Sequence, residues 1–192
     1  YTNLGITVAP EYKLGDFTIT ERFNYTLNRV SEKYYLPYPT PADNTQYHFY
    51  VDAFNGKIGN YVGSFFGKET YLSSDTRVAW NKVLGAHSFD VFGGFRYTNF
   101  NFDSNAISGA NSGSDSEFDI ADDLKYITSE GDRNVWTNMA WYLSADYSYK
   151  TKYFLQLAAS MEASSRFGAN ASGALKLGGV AWGLFPSVQA AW

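Results

Sequence analysis

Cysteine is absent from all 192 residues, which removes disulfides, thiolate metal ligands and thiol nucleophiles and fits an oxidising compartment such as the periplasm. Long apolar runs are missing too. No segment approaches the roughly 18 to 20 consecutive apolar residues of a membrane-spanning helix, so a helical membrane protein is excluded. Basic charge is in deficit, with 15 Lys and Arg against 19 Asp and Glu and a net charge of -4. With an isoelectric point near 5.1, the chain lacks the basic footprint of a nucleic-acid binder. Only two histidines occur, His48 and His87, and no serine sits in a nucleophile motif. Without convergent nucleophile, base and orienting groups, the sequence points away from an enzyme and requires no cofactor. Nor does a charged, apolar, small-residue leader open the chain, so the expectation is a removed signal peptide or a true N-terminus elsewhere.

Aromatic residues are what the chain has in excess. They make up 19% of it within a hydrophobic fraction of 45%, yet mean hydropathy is only -0.31. A soluble domain seldom spends so much on Tyr, Phe and Trp. A membrane β-strand needs only about 9 to 11 residues, alternating lipid-facing with lumen-facing side chains, and therefore combines bulky apolar residues with a polar average.

The alternation is explicit. Leu4, Ile6, Val8, Pro10, Tyr12 and Leu14 alternate with Gly5, Thr7, Ala9, Glu11 and Lys13, the period of a strand with one apolar face. After a turn at Gly15-Asp16, Phe17, Ile19, Phe23, Tyr25 and Leu27 continue the pattern, which Glu21 breaks. Thr76 to Leu84 reads as a weaker strand that turns at Gly85-Ala86-His87. It returns with Phe89, Val91, Gly93, Phe95 and Tyr97 on one face and Asp90, Phe92, Gly94, Arg96 and Thr98 on the other. A second hairpin sets Trp141, Leu143, Ala145, Tyr147 and Tyr149 against Tyr142, Ser144, Asp146 and Ser148, turns near Thr151-Lys152, and returns through Tyr153, Leu155, Leu157, Ala159, Met161 and Ala163. Leu184, Pro186, Val188, Ala190 and Trp192 form a last apolar face.

This predicts an all-β chain of about seven antiparallel strands, joined by tight turns on one side and by long loops over roughly 31–74, 103–134 and 168–183 on the other. Outer-membrane barrels are wired in this way, with short turns periplasmic and long loops outside. Tyr12, Phe17, Tyr97, Tyr147, Tyr149, Tyr153 and Trp192 gather near strand ends, as girdle residues do. A soluble β-sandwich or a small complete barrel acting as a binding module is the alternative, with Trp192 as a terminal aromatic. The two differ in whether Leu143, Tyr147, Leu155 and Leu157 meet lipid or a second sheet.

Several words carry a family resemblance: Trp141-Tyr142-Leu143-Ser144-Ala145-Asp146-Tyr147-Ser148-Tyr149-Lys150, Lys152-Tyr153-Phe154-Leu155-Gln156, Ser164-Ser165-Arg166-Phe167-Gly168 and Phe185-Pro186-Ser187-Val188, with Asn81-Lys82-Val83-Leu84-Gly85-Ala86-His87-Ser88-Phe89 before Gly93-Gly94-Phe95. In this order they resemble the barrel signature of SusC-like, RagA-like TonB-linked outer-membrane proteins of the Bacteroidota. The words cover roughly the second half of the chain. Met161-Glu162-Ala163 departs from the usual basic and acidic pair before Ser-Ser, and 169–182 is longer than usual.

The resemblance implies a TonB box, a plug and a barrel of about twenty-two strands, paired with a SusD-like surface lipoprotein to import glycans or peptides across the outer membrane. Plug and TonB-box words are absent here. Residues 1–192 are therefore expected to be a partial barrel domain that takes outer-membrane lipid, the remaining barrel and plug, the lipoprotein, TonB through the plug, and a glycan or peptide as partners, and no nucleic acid. On its polar face Arg22, Asp90, Arg96, Tyr142, Asp146 and Glu162 are candidate contacts for solute or plug, although a wet lumen requires polar residues in any case.

Two loops hold further candidates. The first carries Tyr34, Tyr35, Tyr38, Tyr47 and Tyr50 near Pro37, Pro39 and Pro41; flat rings suit sugar stacking or a partner protein, and equally suit packing on one another. The second is acidic, with Asp115, Glu117, Asp119, Asp122, Asp123, Glu130 and Asp132. Carboxylates suit calcium, but the spacing lacks the central glycine of an EF-hand, which favours a solvated loop over a metal site.

Overall fold

The computed structural model describes residues 1–37, 60–110, 119–120, 124–167 and 174–192. Regular structure among them is entirely β. In chain order the strands are β1 (Thr2–Val8), β2 (Glu11–Leu14), β3 (Phe17–Leu36), β4 (Tyr61–Leu84), β5 (His87–Ala110), β6 (Lys125–Tyr149), β7 (Tyr153–Ser164), β8 (Leu175–Leu177) and β9 (Val180–Ala191). They form one antiparallel sheet in the order β1-β3-β4-β5-β6-β7-β9-β8, with β2 also on β3. Among the described residues no pairing joins β1 to β8, so the sheet is open.

Nine strands replace the expected seven for identifiable reasons. Leu4 to Leu14 is not one strand: it divides at Ala9-Pro10. The β2–β3 register pairs Glu11 with Thr20, and one step further Glu21 donates its N–H to the Pro10 carbonyl at 3.1 Å. Proline has no N–H to return that bond, so the ladder is interrupted while its register continues. β1 is an edge strand, where proline is tolerated. The additional strand β8 lies within the 168–183 stretch read as a loop, paired with β9 through Leu175–Trp182 and Leu177–Val180.

The other two long loops shrink because the strands outrun their alternating segments. β3 continues to Leu36, β4 begins at Tyr61, β5 runs to Ala110 and β6 starts at Lys125. Tyr34 and Tyr35 are therefore strand residues, as are Glu130 and Asp132.

Contacts gather into two units. One comprises Tyr1–Asn3, Leu27–Glu69 and Phe102–Asn134. Among the described residues its buried apolar side chains are Val62, Ala110 and Leu124, and Ser108 and Thr128 hydroxyls bond across β5 and β6 at 2.8 Å. Asn3 donates to Asn28 at 2.7 Å and Asn28 to Glu69 at 3.0 Å, a rung across three strands.

The other unit comprises Leu4–Thr26, Thr70–Asn101 and Val135–Trp192, and its two faces differ sharply. Register pairs Leu143 with Ala159, Ala145 with Leu157, Tyr147 with Leu155 and Tyr149 with Tyr153, then Leu157 with Val188 and Met161 with Leu184. Every one of these side chains shares a face, because successive strand residues alternate. That face stays open: Leu143 is 55%, Leu184 60% and Val188 70% accessible. Ala163, Ala181 and Trp182 are the buried apolar residues of this unit among those described.

The apolar face ends at a chemical edge. Beyond Tyr97 and Met139, Asn99 donates to the Thr137 hydroxyl across β5 and β6 at 3.0 Å. Glu21, the residue that breaks the alternation, is also accounted for. Its carboxylate accepts from the Ser74 hydroxyl at 2.7 Å and from the Thr76 hydroxyl, so two hydroxyls on β4 hold the charge on an otherwise apolar face.

Candidate functional site: the polar face of the sheet

Opposite the apolar face, side chains are joined strand to strand. Thr7 donates to Asn24 at 2.9 Å and Asn24 donates to Ser73 at 3.0 Å, an uncharged rung across β1, β3 and β4. Next to it stands a charged cluster. Arg96 donates to Asp75 Oδ2 through Nε at 2.9 Å and through Nη2 at 2.7 Å, and Tyr142 donates its hydroxyl to Asp75 Oδ1. The Arg22 charge acts on the same carboxylate. Arg77 stacks on the Phe92 ring with its guanidinium carbon 3.9 Å from the centroid. One carboxylate thus faces the charges of two guanidinium groups, Arg96 and Arg22, while Arg77 lies over a ring.

Tyr142 can reach Asp75 only because Gly94 lies beneath it. A β-carbon on Gly94 falls 2.4 Å from the Tyr142 hydroxyl oxygen and 2.3 Å from the Thr76 carbonyl oxygen. An aromatic ring thus covers a bare backbone position on the neighbouring strand, a known means of stabilising glycine in a sheet.

Nearer the tight turns the charge reverses. The ring pairs Phe89–Tyr147, 5.1 Å between centroids, and Phe95–Trp141, 4.5 Å, fix the β5–β6 register. That register sets Asp90 directly across from Asp146, and the two carboxylates share a hollow of about 400 Å³ with Gln156 and Gln189. Like charges facing across a ladder oppose one another. A second hollow, about 580 Å³, is lined by Tyr71, Arg96, Trp136, Asn138, Glu162 and Arg166 among others. There Ser160 donates to Glu162 at 3.0 Å, and the Arg166 guanidinium lies 4.9 Å from the Trp136 ring centroid.

No family model matches the chain, and no curated protein matches it. Solved structures do. The structure of the RagAB peptide transporter superposes with a TM-score of 0.70 at 14% sequence identity, covering 97% of this chain and 18% of that one. The RagAB peptide importer in its 'open-open' and 'closed-closed' states gives the same score and identity, with 19% and 18% of those chains covered. The likeness is one of fold. This chain spans less than a fifth of the length of those it matches.

Of the residues nominated from sequence, the fold gathers Arg22, Arg96 and Tyr142 around Asp75, sets Asp90 against Asp146, and places Glu162 and Arg96 on the second hollow. Tyr34 stacks on Tyr61 at 5.7 Å and covers Gly63. Tyr38, Tyr47, Tyr50 and His48 lie outside the described residues, as do Asp115, Glu117, Asp122 and Asp123. Asp119 pairs with Lys33, whose hydrogen bond, together with the Ile120 backbone N–H, holds the carboxyl below the ordinary range. No group of three metal-ligating side chains occurs among the described residues. Asp75, Arg77 and Asn24 were not nominated. Asp75 lies one residue before Thr76, where the apolar alternation of its strand begins, although β4 itself starts at Tyr61 and carries Asp75 beside Arg96.

Proposed function

We propose that this chain is a length of wall from an outer-membrane β-barrel importer of the TonB-dependent, SusC-like and RagA-like kind, taking up glycans or peptides with a SusD-like lipoprotein partner. The observation that carries the reading is the apolar face of β1 to β9, open to its surroundings on one side and backed by hydrogen-bonded charged and amide rungs on the other. A lipid-facing exterior and a wet lumen call for that division. Likeness in fold to the RagAB peptide transporter supports the same reading. The role is passive: the wall seals against lipid, and its inner face and outer segments contact solute, plug or lipoprotein, with no covalent chemistry of its own. A β-sandwich would lay a second sheet over the apolar face, and among the described residues there is one sheet path.

The test uses introduced thiols, which are unique within a chain that has no cysteine. In the intact protein reconstituted into bilayers, an environment-sensitive fluorophore at Leu143 or Leu157 is expected to be quenched by brominated acyl chains, while the same label at Ser148 or Gln156 responds to a water-soluble quencher instead. Equal aqueous quenching at all four positions sinks the proposal.

A further inference from the structure

The tight turns of this chain solve their backbone problem in two ways. Two-residue hairpin loops favour positive φ, a region that glycine enters without steric cost. Gly15, Gly85, Gly178 and Gly179 follow that rule, with φ between 60° and 77°. The β6–β7 connection, three residues between the paired Tyr149 and Tyr153, does not. Its left-handed positions are held by Lys150 at 53° and Thr151 at 52°, and a β-branched residue there is a genuine outlier. The turn is closed by Lys152 donating its N–H to the Tyr149 carbonyl at 3.1 Å and tied to the β4–β5 turn by Lys150 donating to the Ala86 carbonyl at 2.8 Å. Residues held in this region persist where the surrounding structure over-determines them, and they cluster at functional sites.

What those side chains do is visible around them. The Lys150 ammonium lies 5.2 Å from the Tyr149 ring centroid and the Lys152 ammonium 5.5 Å from that of Tyr153. These rings stack at 6.4 Å, and His87 adds a third against Tyr149 at 4.9 Å. Lys13 and Lys82, near the other turns, are neutralised by Glu11 and Asp16. Among the described residues no carboxylate pairs with Lys150 or Lys152. Two uncompensated cations therefore sit on a shelf of rings that leads directly into the apolar face at Leu155 and Leu157.

We propose that this shelf binds the head group of an anionic phospholipid, with Lys150 and Lys152 meeting its phosphate and the rings and apolar face taking the glycerol and acyl chains. The inference rests on the membrane-wall reading above. Charge complementarity selects an anionic head group, and continuity with the apolar face selects a lipid over free phosphate.

The test is native mass spectrometry of the intact, detergent-extracted protein titrated with phosphatidylglycerol and, separately, phosphatidylcholine. Preferential retention of phosphatidylglycerol is expected. A Lys150→Gln, Lys152→Gln variant should bind it about twenty-five-fold more weakly, from roughly one factor of five per surface lysine. A second variant, Lys150→Asn with Thr151→Gly, supplies the favoured turn residues, so it folds at least as well; it should still lose about fivefold. Unchanged phosphatidylglycerol affinity in both variants overturns the proposal. Failure of the membrane reading has a different signature, in which neither lipid is retained by the unaltered protein.

Discussion

A β-carbon placed on Gly94 would lie 2.3 Å from the Thr76 carbonyl oxygen, which belongs to the backbone and cannot swing away, and 2.4 Å from the Tyr142 hydroxyl. Gly94→Ala should therefore push β4 and β5 apart and dislodge Tyr142 from Asp75, at a cost of about 1–3 kcal/mol by analogy with overpacked cores. Urea titration of the folded, intact protein checks this; a midpoint equal to that of the unaltered protein would show that the ring does not depend on the bare backbone. Glu21 illustrates a different residue-scale principle. Its charge stands on the apolar face, and two hydroxyls from β4 answer it where a basic partner would have added a second charge to desolvate.

At the scale of elements, the strands exceed their sequence signatures. β4, β5 and β6 have 24, 24 and 25 residues, while a membrane crossing takes about 9 to 11. Residues 103–110 and 125–134 have loop-like composition yet are laddered, so their amides should exchange slowly in hydrogen–deuterium exchange read by mass spectrometry. Exchange there as fast as in unstructured peptide would contradict the strand assignment. The apolar stretches Phe89–Tyr97, Trp141–Tyr149 and Tyr153–Ala163 were legible because one face is uniformly bulky. Beyond Asn99 and Thr137 polar residues mix with apolar ones such as Phe100, Trp136, Val135 and Ile127 on both faces, so the period of two loses its contrast and hydrogen bonding between strands marks the structure. Pro10 misled in the opposite direction, since it obeys the alternation while lacking the N–H that an unbroken strand needs. The Arg22–Asp75–Arg96–Tyr142 cluster was half legible: three members stood on readable strands, and the carboxylate that unites them lay just past a boundary.

For the whole molecule, this chain accounts for 18% of the length of the RagAB transporter chain it matches, and a sheet ending at β1 and β8 has two edges to satisfy. Unpaired edges invite pairing, so on the proposed reading other parts of the barrel wall cover them. Vertical position is then a separate matter. Strands of 24 residues carry no length information about a bilayer, because their ends lie far past any crossing. What remains is the line at Tyr97 and Met139, beyond which Asn99 and Thr137 hydrogen-bond to each other. If the sheet spans a bilayer as proposed, that line acts as a thickness gauge: a bilayer with longer acyl chains must thin locally or draw the Asn99 amide and the Thr137 hydroxyl into hydrocarbon, at fractions of a kcal/mol per Å of mismatch. Replacing Asn99 and Thr137 together by Leu and Val would raise the gauge by one residue pair, and the lipid chain length giving greatest thermal stability should lengthen with it.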